Sequence, residues 1–483
     1  MKRIMRILVG TAGVWFLLAL FASSEVFAVA GYARQTGMSC NQCHTAHGGA
    51  TPNFTFTGKK FNAMGYRLQG SPHTTQTVQE QGEVGDRGEY MNMLPLTFSG
   101  RFQHQWLANT KPPGGPNEGE WGDPLTNPTS RLAFFPFIGP IGNNFGVWTE
   151  FYIVPLHSAE WGAADASFEE MDFRYILNPD SKRNIYGFAL TNQGIGDIFG
   201  FGPWPAVGLA SSVGGRAGIG GYSHPNFATV AMYGWMNDRW AWALGANTGD
   251  TNYYWDNANA TGFLGYALAN GNDREIWINA YARTGNDGLP LVTSPGIDDN
   301  EYVYSDGVPG VSGTRTSACP TPEREMRADP ANCTYLAEEM DSHLTADLEF
   351  RWSGQSVAQM FTSNPQVGNW SYEVVARLGY NTEEYKDGAE TELTTWGVAT
   401  QFGWKHTYYI KPYVNGNMTY EFTDENGNSY DIDTVPSYGI WLSYKPVENF
   451  LIHFEYHNLQ SNSLNNDAGD DGARYAISTD VSF

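Results

Sequence analysis

From about residue 91 onward, apolar and polar side chains alternate one by one along the chain. Leu344, Leu348 and Phe350 share one face of a segment whose other face carries Asp347. A period of two residues is the pattern of a β-strand, because successive side chains point to opposite faces. Segments of this kind recur to the end of the chain. The pattern therefore predicts a mostly β protein.

Several features favour a transmembrane antiparallel β-barrel over a soluble sandwich. Aromatic residues cluster near strand ends, the polar faces carry charges of both signs, and no linker divides residues 90–483. Tight turns such as Asn237-Asp238 alternate with long connections rich in Gly, Pro and Asp. Bacterial barrels have an even number of strands, so we expect about sixteen. The long connections are predicted at 108–128, 194–225 and 285–341.

The first thirty residues have the pattern of a secretory signal. Lys2, Arg3 and Arg6 precede an uncharged apolar run at 7–22, and small residues follow it. A retained membrane anchor is the alternative, but the apolar run is short for a helical span. We therefore expect residues 1–30 to direct export through the Sec pathway.

Composition and charge narrow the possible partners. The chain is rich in Gly, Trp, Tyr and Phe, and its formal net charge is −23. Such an acidic chain argues against nucleic acid as a partner, because phosphate backbones select basic surfaces. An acidic exterior attracts cations towards a pore mouth, although the same charge also keeps long loops soluble.

Ahead of the β pattern stands the run Cys40-Asn41-Gln42-Cys43-His44, the attachment motif of a c-type haem. Two thiols bond to the vinyl groups, and the adjacent imidazole becomes the proximal iron ligand. The alternatives are a redox dithiol and half of a zinc site. These require a βαβ surround or a second Cys/His pair, and the sequence has neither nearby. We expect one covalent haem c in a segment at 31–85.

The second axial ligand of such a haem has to approach from the opposite face of the ring. Met64 follows His44 at a distance that allows the chain to loop over, and His73 is the alternative. His47, Met38, a water or a barrel residue stay open as well. Met64 is otherwise a gap-filling core side chain.

Two further cysteines, Cys319 and Cys333, fall in one predicted loop. A bridge between them closes a loop of about fifteen residues, worth roughly 3 kcal/mol in the chain-entropy model. Disulfides are stable in the compartments outside the cytoplasm. We therefore predict a structural disulfide here.

The haem segment carries the lead at 33–37, the haem motif, Gly58, Phe61 and the pair Gly65-Tyr66. Through these residues it resembles the fused monohaem cytochrome–porin family, the outer-membrane iron oxidases of iron-oxidising bacteria. Alternation in the last strand up to Phe483 also resembles the recognition signal of outer-membrane barrel proteins.

The resemblance implies an outer-membrane cytochrome that oxidises extracellular Fe(II). Electrons would pass through a haem inside the barrel to a periplasmic cytochrome, an iron(II):cytochrome c oxidoreductase type of activity. One-electron transfer needs no general acid or base, and no catalytic residue is predicted. The alternatives are another extracellular electron donor, and a diffusion porin whose haem segment is a plug.

Polar strand residues predicted to line the lumen are candidates for contact with the haem segment. They are Arg101, Glu150, Asp347, Glu349, Arg351, Glu373, Arg377, His453 and His457. Acidic loop residues are weaker candidates for brief contact with Fe(II), as for any solvated loop. They are Asp298, Asp299, Glu338 and Glu339.

The ligand prediction can be checked by replacing Met64. Methionine ligation raises the reduction potential of a c-type haem, so Met64→Ala should lower the midpoint potential strongly. The measurement is a potentiometric titration of haem-stained outer membranes that contain either the wild-type protein or the Met64→Ala variant. An unchanged potential would exclude Met64 as the ligand.

Overall fold

The computed structural model of the 483-residue chain describes most of the predicted β region and part of the haem segment. The described residues are 32, 40–45, 54–67, 97–108, 125–135, 137–141, 144–156, 165–181, 183–192, 194–201, 228–248, 258–285, 340–355, 370–385, 388, 390–405, 407–423, 427, 429–431, 437–447, 450–459 and 472–482. Several predictions lie outside them. These concern the signal at 1–30, Met38, His47, His73, Asp298, Asp299, Cys319, Cys333, Glu338, Glu339 and Phe483.

Two short helices that are described over their full length precede the sheet, α1 (Cys40–Cys43) and α2 (Phe56–Ala63). Thr55 caps α2, because its hydroxyl accepts a hydrogen bond from the Gly58 amide at 3.2 Å. Gly65 and Tyr66 follow the helix with φ of 66° and 63°, a left-handed turn that ends it. Within the described residues, no helix is long and apolar enough to cross a membrane.

The described part of the sheet contains eighteen antiparallel strands. They are β1 (Thr97–Ala108), β2 (Leu125–Phe135), β3 (Ile138–Ile141), β4 (Phe145–Leu156), β5 (Asp165–Ile176), β6 (Asn184–Thr191), β7 (Thr229–Met236), β8 (Trp240–Thr248), β9 (Ala258–Ala269), β10 (Glu275–Gly285), β11 (Met340–Gln355), β12 (Trp370–Tyr385), β13 (Glu390–Trp404), β14 (Tyr408–Thr423), β15 (Ser429–Asp431), β16 (Ser437–Val447), β17 (Phe450–Leu459) and β18 (Gly472–Ser482). A short 3₁₀ helix, Ile195–Phe199, follows β6. The prediction of a mostly β chain built on one large antiparallel sheet is confirmed.

Strand pairing follows the order of the chain and returns to its start. β1 pairs with β2 along one edge and with β18 along the other, where Ser99 lies opposite Ser482. Of the strands described, only β3 and β15 stand outside this ring; they extend the pairing of β4 and β14. We call the ring of paired strands the barrel, and its interior the lumen.

The two ends of the barrel differ in their connections. The chain joins β7 to β8 through Asn237 and Asp238, whose φ of 54° and 57° are those of a tight type I′ turn. β13 to β14 and β16 to β17 are also joined by short turns at this short-turn end. β10 ends and β11 begins at the opposite end, where Gly285 lies opposite His343. β1 also begins at the short-turn end, where Ser99 lies opposite Ser482.

The outward face of the strands is apolar, and the alternation predicted for β11 is confirmed. Leu348 and Phe350 are 52% and 39% exposed, whereas the alternating residues Asp347 and Glu349 are buried. Exposed aromatic side chains form a row near the short-turn end, which we call the aromatic row. Its members are Trp240, Trp352, Trp370, Trp404, Tyr408 and Tyr444.

The inward face differs from the expected polar lumen along β7 to β10. Tyr233, Trp235, Phe263 and Trp277 point inward there and are buried. They pack with Phe199 of the 3₁₀ helix in one apolar cluster. The expectation of a polar lining fails at these positions because a segment of the chain fills this part of the lumen, so these side chains meet protein instead of water. Elsewhere on β9 and β10 the inward face is polar, as at Asn259, Asn279 and Arg283.

Candidate functional site

Helix α1 holds both cysteines of the haem motif. Cys40 and Cys43 are the first and last residues of this single turn, and His44 follows directly. Positions three apart lie on one face of a helix, so the backbone brings the two cysteine positions together beside the histidine. Cys43 forms no disulfide. A donor set of two thiols and an imidazole at these positions fits covalent attachment of a haem c.

Burial decides the protonation of the Cys43 and His44 side chains. It raises the pKa of the Cys43 thiol to about 12, so the thiol is protonated at neutral pH. A redox dithiol needs the opposite shift, since the thiolate is the reactive form. Burial also lowers the pKa of the His44 imidazole to about 4, which keeps the ring in the neutral form that ligates metals. The raised pKa of the Cys43 thiol therefore argues against a redox dithiol.

The chain after the motif folds back onto α1. Phe54 forms a β-bridge with His44, and the centroids of their rings are 4.8 Å apart. The Thr55 amide donates a hydrogen bond to the Cys43 carbonyl at 2.9 Å. A Cβ on Gly58 would lie 2.2 Å from that carbonyl oxygen, so only glycine permits this approach of α2. Gly58 thus has a steric role in the segment.

A fully buried ion pair joins α2 to the wall of the barrel. Lys59 Nζ lies 2.8 Å from Glu275 Oε2 on β10 and donates a hydrogen bond to the Phe54 carbonyl at 2.7 Å. Glu275 also accepts a hydrogen bond from the Trp277 indole. Removing one partner of a buried pair costs about 3–5 kcal/mol, because the other charge is left unpaired in a low dielectric. The pair therefore fixes the segment firmly in place.

Two further contacts place α2 in the mouth at the short-turn end. Lys60 Nζ lies 2.8 Å from Asp238 Oδ1 in the β7–β8 turn. The Thr57 amide donates to Asn272 Oδ1 at 3.0 Å, and Asn272 Nδ2 donates back to the Thr57 hydroxyl at 2.9 Å. Asn272 belongs to the turn between β9 and β10. Both turns belong to the short-turn end of the barrel. Helix α2, and with it the haem motif that packs on this helix, therefore lies at the mouth of the barrel at that end.

Arg174 on β5 connects three parts of the structure. Its guanidinium is paired with Asp172, with Nη2 2.6 Å from Oδ2, and both groups are buried. Nη1 donates hydrogen bonds to the carbonyls of Asn62 at the end of α2 and of Ile198 in the 3₁₀ helix. Asn62 Nδ2 in turn donates to the Asp197 carbonyl at 2.8 Å. The 3₁₀ helix and α2 are thereby held against the same strand.

Close backbone contact fixes the C-terminal end of α2. A Cβ on Gly146 of β4 would lie 2.3 Å from the Gly65 carbonyl oxygen. The Tyr233 hydroxyl donates to the Ala63 carbonyl at 3.0 Å. The guanidinium carbon of Arg174 lies over the Tyr66 ring, 4.9 Å from the ring centroid. Glycine at position 146 is what allows the segment to reach the strand here.

On the other side of the motif, the segment meets the polar part of the lumen. The Thr45 hydroxyl lies 3.4 Å from Glu373 Oε2 on β12. Arg351 Nη1 lies 3.4 Å from Glu373 Oε1, and Arg351 also pairs with Glu349, which binds Arg377. These charges are buried and mutually paired, so they form a network that continues from the motif along β11 and β12.

The predicted distal ligand, Met64, lies at the C-cap of α2. It is 3% exposed and belongs to the apolar cluster that includes Ile176, Ile185 and Phe199. This is the placement of a core side chain, the other interpretation of this residue. The assignment of Met64 or His73 as an iron ligand stays a prediction.

Among the predicted lumen residues, Glu373 contacts the haem segment directly. The others whose side chains are described are on the inner wall, and the side chains of Arg101 and His457 lie outside the description. The buried ones are Asp347, Glu349, Arg351, Glu373, Arg377 and His453.

Sequence reasoning missed most of the residues that hold the segment. Glu275, Arg174 and Tyr233 were not predicted as contacts, although strand alternation places each on an inward face. The Asn237-Asp238 turn was recognised without its bond to α2. Alternation shows which residues of a strand face the lumen. The position along each strand at which the docked segment makes contact depends on the register of the barrel, and no local sequence pattern encodes that register.

Comparison with known proteins finds similarity at the level of solved structures. No protein-family model and no curated protein sequence matches the chain. A loop-deletion variant of OmpT, an outer membrane protein of Vibrio cholerae, covers 80% of this chain and 99% of its own length, with 9% identity and a TM-score of 0.45. OmpF of Salmonella typhi, in complex with daunomycin, covers 80% and 97%, with 9% identity and a TM-score of 0.42. A triple mutant of the Rhodopseudomonas blastica porin covers 80% and 99%, with 8% identity and a TM-score of 0.39.

The contact at Gly146 yields a prediction. In Gly146→Ala, the new Cβ collides with the Gly65 carbonyl oxygen, and the docked segment should lose about 1–3 kcal/mol, the usual cost of overpacking. Limited proteolysis of the folded barrel, followed by mass spectrometry, measures the loss as faster cleavage within residues 54–67. Gly262→Ala on β9 is the matched control, because its Cβ meets Leu244 at an ordinary 3.4 Å. Equal cleavage in both variants would contradict this role of Gly146.

Proposed function

We propose that the chain is an outer-membrane β-barrel protein. Three features support this: strand pairing that leaves β1 no free edge, an apolar outward face, and the aromatic row at one end. In hydrocarbon every backbone group must be bonded within the protein. Aromatic side chains are enriched where a barrel meets the lipid headgroups. Turn length favours the periplasm for the short-turn end.

We propose further that the motif at Cys40, Cys43 and His44 carries a haem c within the periplasmic mouth of this barrel. The single observation behind this is the docking of the motif segment on the lumen wall through the buried Lys59–Glu275 pair. A bound haem c would supply a one-electron redox centre. The cytochrome part of the proposal rests on the motif and on the resemblance of its segment.

The residues of the chain have distinct roles in this proposal. Glu275 and Arg174 hold the segment in the mouth, and the apolar cluster around Trp235 excludes water from one side of the lumen. The paired charges around Arg351 keep the other side polar. No proton has to move in a one-electron transfer, so these groups bind and orient rather than act as acids or bases.

Extracellular Fe(II) is the electron donor that we propose, and a periplasmic cytochrome is the acceptor. The donor rests on the family resemblance of the haem segment. It is also supported by charge, since the sequence at 286–339, between β10 and β11, holds ten acidic and three basic residues. β10 ends and β11 begins at the opposite end of the barrel from the motif. An acidic mouth raises the local concentration of cations. Another extracellular donor would use the same arrangement.

A second candidate function keeps the barrel and changes the role of the motif. It is a diffusion porin with a haem-bearing plug, and it is supported by the segment docked on the lumen wall through Lys59 and Tyr233. In that case the segment from α1 to Tyr66 narrows the lumen. The activity would then be the diffusion of solutes through the lumen, and the haem would be part of the plug.

The redox function is tested on purified protein in detergent under anaerobic conditions. We expect Fe(II) to reduce the haem within minutes, as followed by the visible absorption bands. The Cys40→Ser/Cys43→Ser variant, which cannot attach haem, is the control for the absorption signal. A haem that dithionite reduces and Fe(II) does not would contradict Fe(II) as donor. Solute flux through liposomes that is independent of haem state would favour the porin.

The membrane assignment is tested on the outward face of β11. Leu348 lies in the middle of the strand, four residues from Trp352 of the aromatic row, so Leu348→Arg should lower the free energy of unfolding of the protein in bilayers by about 2–4 kcal/mol. Met418→Arg on β14 is the control, because Met418 lies near the long-connection end and an arginine there should cost at most about 1 kcal/mol. Urea titration in lipid vesicles measures both, and equal costs would contradict the assignment.

A further inference from the structure

We propose that the buried pair of Lys59 and Glu275 positions His44, so that the barrel wall sets the orientation of the proximal iron ligand. This inference rests on the haem attachment proposed above and extends it. Both residues act through other groups and are therefore positioning residues. The barrel would then be part of the redox centre, and more than a housing for it.

The path from the wall to the histidine consists of three short contacts. Glu275 Oε2 lies 2.8 Å from Lys59 Nζ, and Lys59 Nζ donates to the Phe54 carbonyl at 2.7 Å. Phe54 is bridged to His44 by the backbone, and their rings are 4.8 Å apart. A displacement of the Lys59 ammonium is therefore transmitted to the residue paired with the histidine.

Phe54 has little freedom to compensate for such a displacement. On its other side a Cβ built on Gly200 would lie 2.3 Å from the Phe54 ring, so the ring fits against bare backbone. Gly200 follows the 3₁₀ helix with a φ of 69°. Phe54 is thus confined between Gly200 and His44, with its carbonyl held by Lys59. Groups that orient a ligating histidine also tune the metal it binds.

The adjacent Lys60 provides a matched comparison. Its ammonium is also 2.8 Å from a carboxylate, that of Asp238, but the pair is partly exposed at the rim of the mouth. That pair holds α2 to the tip of a turn and does not involve Phe54. If ion pairing merely anchored the segment, both lysines would matter for the same reason. If Lys59 positions the histidine, only Lys59 should affect the environment of the iron.

The experiment compares Lys59→Met with Lys60→Met in the full-length, haem-loaded protein. We expect Lys59→Met to shift the haem midpoint potential and the low-temperature electron paramagnetic resonance spectrum, and Lys60→Met to leave both at their wild-type values. Lys59→Met/Glu275→Leu should give the same shift without leaving a buried charge unpaired. It keeps the test valid if the single variant folds poorly. Wild-type spectra in the double variant, or equal shifts in both lysine variants, would overturn the proposal.

A second measurement separates this inference from the haem itself. In the Cys40→Ser/Cys43→Ser chain, which has no haem, hydrogen exchange of the amides at 42–45 and 54–55 reports the same geometry. We expect Lys59→Met to speed this exchange by roughly 150- to 4,000-fold, the equivalent of leaving one buried charge unpaired, and Lys60→Met to leave it unchanged. If the purified wild-type protein contains no haem, the proposed function is refuted, and the exchange measurement still tests the positioning role. Unchanged exchange in Lys59→Met would refute the positioning role.

Discussion

The whole structure depends on one requirement, that every strand must satisfy its backbone hydrogen bonds with a neighbour on each side. β1 meets this requirement by pairing with β2 and with β18. In the bilayer proposed above, the surroundings of the apolar outward face offer no replacement for a missing partner. The ring that results also creates an enclosed lumen. The docked segment, the 3₁₀ helix and the paired charges are all ways of filling or lining that space.

The strands and the outward face could be predicted from the sequence, because a period of two residues is a local property. In β11, for example, alternation alone separates Leu348 from Glu349, and the structure places them on opposite faces. The inward aromatic cluster could not be predicted in this way. Trp235 and Trp277 are as apolar as the residues of the outward face, and the presence of protein inside the lumen explains why they point inward.

The chemistry of the candidate site was visible in the motif, whereas its position was not. Cys40, Cys43 and His44 are contiguous, so their spacing carries the signal. Lys59 has no such signal, since a lysine on a short helix is normally exposed. Its burial is decided by Glu275, which is 216 residues away in the chain. Pairings of this separation depend on the register of the complete barrel, which no local pattern encodes.

The wide sequence separation of the docking contacts determines the order in which the protein can assemble. The contact between Thr45 and Glu373 joins residues 328 positions apart, and Gly146 and Arg174 contribute from the early strands. The wall that receives the segment is therefore incomplete until β12 has been added. The haem motif leaves the ribosome before any strand, yet it can acquire its contacts only after most of the barrel exists. A carrier that shields the motif during this interval would be useful to the cell.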